Sequence, residues 1–107
     1  MSLDVYLKVI APTTIYQDNI THNLNKMAKE AGIYQHLWRP EELEIVTAAQ
    51  AIPRLELGLE TLLSDPERFK AFDSPNGWGR YENFLTFVQG YLQACRTHPT
   101  ALLRASR

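Results

Sequence analysis

A chain of 107 residues, 45% hydrophobic and 21% charged, holds one core and little else, which excludes two catalytic domains. Its aromatic fraction of 10% is too high for a chain that stays disordered for want of burial. Eleven basic residues against twelve acidic ones, a net charge of -1, exclude both a uniformly basic surface for nucleic-acid phosphates and an acidic nucleic-acid mimic.

No apolar run approaches the roughly 20 residues of a membrane helix, and Met1-Ser2-Leu3-Asp4 lacks a basic segment followed by an apolar one. A cytoplasmic protein with neither a membrane nor a nucleic-acid partner is therefore expected. The single cysteine, Cys95, excludes an internal disulfide and a multi-cysteine metal site.

Leu3 to Ile10 alternates, with Leu3, Val5, Leu7 and Val9 on one side and Asp4, Tyr6 and Lys8 on the other, and predicts a half-buried strand. Ala11 to Thr14 reads as a turn, after which Thr14 to Gln17 returns as a short second strand. Thr21 caps a helix whose buried stripe is Leu24, Met27, Ala28 and Ala31, and Gly32 ends it in the left-handed conformation. Tyr34 to Arg39 reads as a connection. Pro40 then opens a new turn, with Glu41 and Glu42 well placed at its start.

Thr47 and Gln50 form a capping-box pair before a longer helix running to about Leu63. Pro53 inside that helix predicts a kink or a later start, and Gly58 weakens it further. Asp65 and Pro66 open a short helix that buries Phe69 and Phe72. Asp73 to Gly79 is a loop built on Pro-Asn-Gly turn chemistry. Tyr81, Phe84, Leu85, Val88, Tyr91, Leu92 and Cys95 then keep the 3.6 period over four turns before Pro99. The tail, Thr100 to Arg107, reads either as a strand pairing with the first or as a frayed end. The fold class is α+β: three to four helices and a small antiparallel element formed by the N-terminal strand and, on the first reading of the tail, the C-terminal segment.

Catalytic and metal templates are missing. There is no Gly-rich phosphate loop, no His-Glu-x-x-His and no Gly-x-Ser-x-Gly, and His22, His36 and His98 lack ligand spacing. Neither a metal nor a cofactor nor a catalytic residue is expected, and Cys95 lies on the apolar stripe of its helix as a structural thiol.

Three polar segments carry the functional expectations. Asn19-Ile20-Thr21-His22-Asn23-Leu24-Asn25-Lys26 places amides, a hydroxyl, a histidine and a lysine at a helix start, where free backbone N–H groups suit an anion. Its plainer reading is a capped, solvated helix end. Asn76-Gly77-Trp78-Gly79, with Tyr81, carries an aromatic between two glycines that either offers a stacking face or plugs the core. Trp38-Arg39 pairs an aromatic suited to packing with a guanidinium free to bind an anion or to salt-bridge Glu42. Together, Asn19, Thr21, His22, Asn23, Lys26, Trp38, Arg39, Asn76, Gly77, Trp78 and Tyr81 make the inventory of a pocket for a small phosphorylated or nucleotide-like ligand.

At these segments the chain resembles a family of small proteins, without an established activity, found in bacteriophage, prophage and bacterial sequences. The resemblance runs through Leu3-Asp4-Val5-Tyr6-Leu7, Asn19-Ile20-Thr21-His22-Asn23-Leu24, Lys26-Met27-Ala28 and Ala31-Gly32-Ile33-Tyr34. It continues in Leu37-Trp38-Arg39-Pro40-Glu41-Glu42, Asn76-Gly77-Trp78-Gly79 with Tyr81, and Tyr91-Leu92 with Ala94-Cys95. Thr100 to Ala105 departs from the family's more acidic and β-branched tail, whereas Ser106-Arg107 keeps its ending.

The resemblance implies a host-cell cytoplasm and a stoichiometric inhibitor of host defence that sequesters a signalling nucleotide. The alternative is an inhibitor that binds a host protein through the same Trp and Arg residues. A third reading is a small enzyme acting on a nucleotide, with His22 as acid or base. A chain this short often completes a pocket across a two-fold axis, so a homodimer is among the expected partners.

Overall fold

The computed structural model describes residues 2–9 and 13–107. Ile10, Ala11 and Pro12, and with them the first half of the expected first turn, lie outside the described residues. The fold is α+β, a three-stranded antiparallel sheet in the order β2-β1-β3 packed on helices.

Alternation builds the first strand. In β1 (Ser2–Lys8) Leu3, Val5 and Leu7 are fully buried, while Asp4, Tyr6 and Lys8 stand on the other face. Val9, expected inward, lies past the strand end and is exposed. β2 (Thr14–Thr21) runs four residues further than Gln17, pairing Leu3 with Ile20, Val5 with Asp18 and Leu7 with Tyr16. Gln17-Asp18-Asn19 is poor strand sequence; pairing with β1 overrides its local preference. The inner face of β2 thus carries Tyr16, Asp18 and Ile20 in succession.

Thr21 closes β2 and caps a 3-10 turn (His22–Leu24) through its hydroxyl, which accepts from the backbone N–H of Asn23 at 3.3 Å. The turn leads into α1 (Asn25–Glu30). Leu24, Met27, Ala28 and Ala31 form its buried stripe, and the backbone N–H of Ile33 donates to the Ala28 carbonyl around Gly32 at φ 79°.

Tyr34 to Trp38 is a short helix, α2, and not a connection. Leu37 and Trp38 are buried by it, so burial of one apolar face outweighs a sequence without a cap or a periodic run. Pro40 then opens a 3-10 turn (Pro40–Leu43) with Glu41 and Glu42 in its first turn.

α3 (Ala48–Ser64) starts at the expected cap, where the Thr47 N–H donates to Gln50 Oε1 at 3.0 Å, and runs through Pro53 without the later start. Its first amides are satisfied from outside the helix: Ala48 N donates to the Ala101 carbonyl and Ala49 N to that of Pro99. Gly58 is buried against the side chain of Ile33, so its missing side chain is a packing requirement.

α4 (Pro66–Lys70) buries Phe69 and half-buries Phe72. α5 (Tyr81–Thr97) packs along α3 and against β2, burying Tyr81, Phe84, Phe87, Val88, Tyr91, Leu92 and Cys95. Five α-helices among the described residues exceed the expected three to four, because Tyr34 to Trp38, read as a connection, forms α2 in addition to the expected helices, the short α4 among them. The tail forms β3 (Leu102–Ser106), which pairs antiparallel with β1 and buries Leu103 while Leu102 is exposed. A bridge from Thr47 to Leu102 ties the start of α3 to the other side of β3.

Candidate functional site

Two of the three polar segments meet. The side-chain amide of Asn23 donates to the Trp78 carbonyl at 3.0 Å, joining the turn after β2 to the loop before α5. Gly79 seals the junction: at φ 102° it takes a conformation few side-chain-bearing residues adopt, and a Cβ there would crowd Thr21, Asn23 and Leu24 at 3.0 to 3.3 Å. The loop itself is folded by Asn76, whose Oδ1 accepts from the Trp78 N–H at 2.9 Å and from the Ser74 hydroxyl at 2.6 Å. Gly77, at φ 79°, completes the turn.

Under this junction lies a cleft of about 490 Å³. The end of β2 supplies Asp18, Asn19, Ile20 and Thr21, with Leu24 behind them. The loop supplies Gly77, Trp78 and Gly79, and one stripe of α5 supplies Asn83, Thr86 and Phe87. The cleft's apolar lining includes the buried Ile20, Leu24 and Phe87, and its polar lining includes Asn19, Thr21, Asn83 and Thr86. Trp78 is 68% exposed, so its ring is not a core plug and offers a flat face to solvent.

Asp18 is the only charged residue among the described residues that line the cleft. One carboxylate oxygen accepts from the Asn19 N–H at 2.8 Å; the other lies 3.5 Å from the Tyr16 hydroxyl. No ion pair among the described residues includes it. Burial and the neighbouring Asp18 push the Tyr16 phenol up to about 12, so Tyr16 is a neutral donor beside that carboxylate.

The remaining expected site residues lie elsewhere. Trp38 is 1% exposed, stacked on Tyr34 with 5.4 Å between ring centroids, and is a core residue. His22 sets its ring edge-on to Trp38 at 6.1 Å, and its Nε2 is enclosed without a hydrogen-bond partner rather than aimed into the cleft. Tyr81 is buried and donates its hydroxyl to the Leu62 carbonyl at 2.7 Å. Arg39 faces Glu42 at 3.4 Å, and Lys26 is exposed on α1 without lining the cleft.

Both local starts that could have taken an anion are capped by the chain itself. The Thr21 hydroxyl takes the Asn23 N–H, and Asp73 Oδ1 takes the Tyr81 N–H at the start of α5 at 2.7 Å.

No family model, curated protein or solved structure matches the chain.

Asp18, Asn83 and Thr86 are cleft residues that sequence reasoning did not single out. The period-2 pattern Tyr16, Asp18, Ile20 places Asp18 on the inner face once β2 is extended, and the i, i+3, i+4 spacing of Asn83, Thr86 and Phe87 places them on one stripe of α5.

The other chemistry-bearing groups are structural. Burial pushes the Cys95 thiol up to about 12, so at neutral pH it is a protonated core residue. Among the described residues no cluster of three or more His, Cys, Asp or Glu side chains is placed to hold a metal ion. No helix of the described residues is long and apolar enough to cross a membrane.

Proposed function

We propose that the chain is a non-enzymatic binding protein whose cleft takes a small nucleoside-like ligand, with its flat ring on Trp78 and its hydrogen-bonding edge on the amides and hydroxyls below. The observation that carries this reading is the Asn23–Trp78 junction, which ties the loop bearing an exposed indole to a cleft lined by both polar and apolar groups.

The site's chemistry narrows the sequence-based expectation. Lys26 and Arg39, the cations expected to meet a phosphate, do not line the cleft, and the ligand is held by its ring and hydroxyl groups. His22, the acid or base expected on the enzymatic reading, does not line the cleft. The resemblance to phage small proteins supports a sequestering role, in which tight binding without turnover removes a host defence signal.

Calorimetry against nucleosides, nucleotides and cyclic signalling nucleotides tests the proposal. Binding that Trp78→Ala weakens by tenfold or more, with the ligand recovered chemically intact, is the expected result. Silence across the panel at millimolar ligand, with capture of a stoichiometric host protein instead, overturns it in favour of a protein-binding inhibitor.

A further inference from the structure

Asp18 is an unusual residue for its place. It sits on the inner face of β2 between Tyr16, which stacks on Tyr91 with 6.1 Å between ring centroids, and the buried Ile20. An inward-facing, half-buried carboxylate loses hydration and is costly unless something compensates it. Here the compensation within the chain is small: one backbone N–H at 2.8 Å and a phenol hydroxyl at 3.5 Å, with no Lys or Arg within ion-pairing distance among the described residues. The same cleft holds Trp78, the aromatic type whose face attracts cations most strongly. A negative carboxylate and the negative face of an indole in one cleft, with no positive side chain lining it, select one sign of charge in what enters.

Resting on the reading of this cleft as a nucleoside-like site, we infer that it recognises a positively charged heteroaromatic ring, the class represented by N-alkylated purines, with Trp78 stacking on the ring and Asp18 accepting from its polarised N–H groups. The neutral amides and hydroxyls of Asn19, Asn83 and Thr86 complete the hydrogen bonding without altering this charge preference.

The decisive comparison uses 1-methyladenosine, a cation at neutral pH, and adenosine, its neutral parent, titrated calorimetrically into the full chain. The wild type is expected to bind the cation roughly tenfold or more tightly than adenosine, from cation–π attraction and a charge-assisted hydrogen bond together. Asp18→Asn keeps the side-chain shape and is expected to reduce the ratio to about two- to fivefold, the share that cation–π attraction to Trp78 alone supplies, mainly by weakening the cation, while its melting curve shows a folded domain.

Equal wild-type affinities overturn the charge preference, and a ratio unchanged in Asp18→Asn overturns the role of Asp18 in it; adenosine binding that still depends on Trp78 then leaves the broader ligand reading standing. Binding of neither nucleoside overturns both. Capture of an arginine-bearing peptide under those conditions would make the cleft a protein-recognition site instead.

Discussion

The side-chain amide of Asn23 and the main-chain carbonyl of Trp78, 55 residues apart in sequence, are joined by a 3.0 Å hydrogen bond that fixes the loop before α5 onto the turn after β2. The bond is exposed, so its direct worth is modest, yet it sets where an unburied indole stands relative to the cleft. Asn23→Ala is expected to cost about 1 kcal/mol of stability while lowering ligand affinity several-fold through loss of preorganisation. Gly79→Ala is expected to cost more, about 2 to 3 kcal/mol, because φ 102° is strained for alanine and the new Cβ crowds Thr21 and Asn23. Chemical denaturation beside ligand titration separates the two effects; equal losses of stability in both variants would contradict this account of the junction.

Gly58 inverts a common rule. Replacing a helical glycine by alanine ordinarily stabilises by about 0.5 to 1 kcal/mol, but a Cβ at Gly58 lands on the Ile33 side chain. Gly58→Ala should therefore destabilise by about 1 to 3 kcal/mol, and Ile33→Ala in the same chain should recover part of that loss. A double-mutant cycle checks it. Simple additivity of the two losses would mean that α3 does not rest on Ile33 at this point.

The tail supplies a third test. Leu103 is buried and pairs with Leu7, whereas Leu102 next to it is exposed. Leu103→Ala is expected to cost about 2 kcal/mol and Leu102→Ala less than about 0.5 kcal/mol. Similar small values for both would indicate a frayed end in place of β3.

How much of this was legible in the sequence depended on whether the signal was local. The alternation of Leu3, Val5 and Leu7, the glycine stop at Gly32 and the long period of α5 each lie within one segment, and each predicted element formed. β2 was half-legible, because Gln17, Asp18 and Asn19 disfavour a strand locally and are held by the partner strand. The burial of Trp38 agrees with its packing reading, whereas α2 depends on the core that Leu37 and Trp38 help to form and no local pattern announced that helix. The candidate site was legible as two polar segments, but their meeting is a tertiary fact. Asp18 was invisible as a site residue until β2 was seen to reach Thr21.

Alkaline pH should destabilise the fold through buried neutral groups. Burial pushes Cys95 from 9.0 and Tyr16 from 10.0 up to about 12, and raises Tyr91 well above its usual value. In that window the unfolded chain has lost protons that the folded chain retains, so stability falls as pH rises. It is fully present below about pH 9 and declines between about 9 and 12. Melting curves across that range check the sign, and Cys95→Ala should flatten its lower part. In the native protein near neutral pH, Cys95 should resist thiol reagents until the chain is unfolded.

The central claim, that the turn after β2, the Trp78 loop and one stripe of α5 form a single ligand site, is tested most directly by a nitrogen–proton correlation NMR titration with 1-methyladenosine. The predicted result is a saturable set of shifts confined to the Trp78 indole N–H, the Asn83 side-chain amide and the backbone amides of Asn19 and Thr86, with the enclosed Trp38 indole unmoved. Shifts absent at millimolar ligand, or scattered over surfaces away from the cleft, would contradict it.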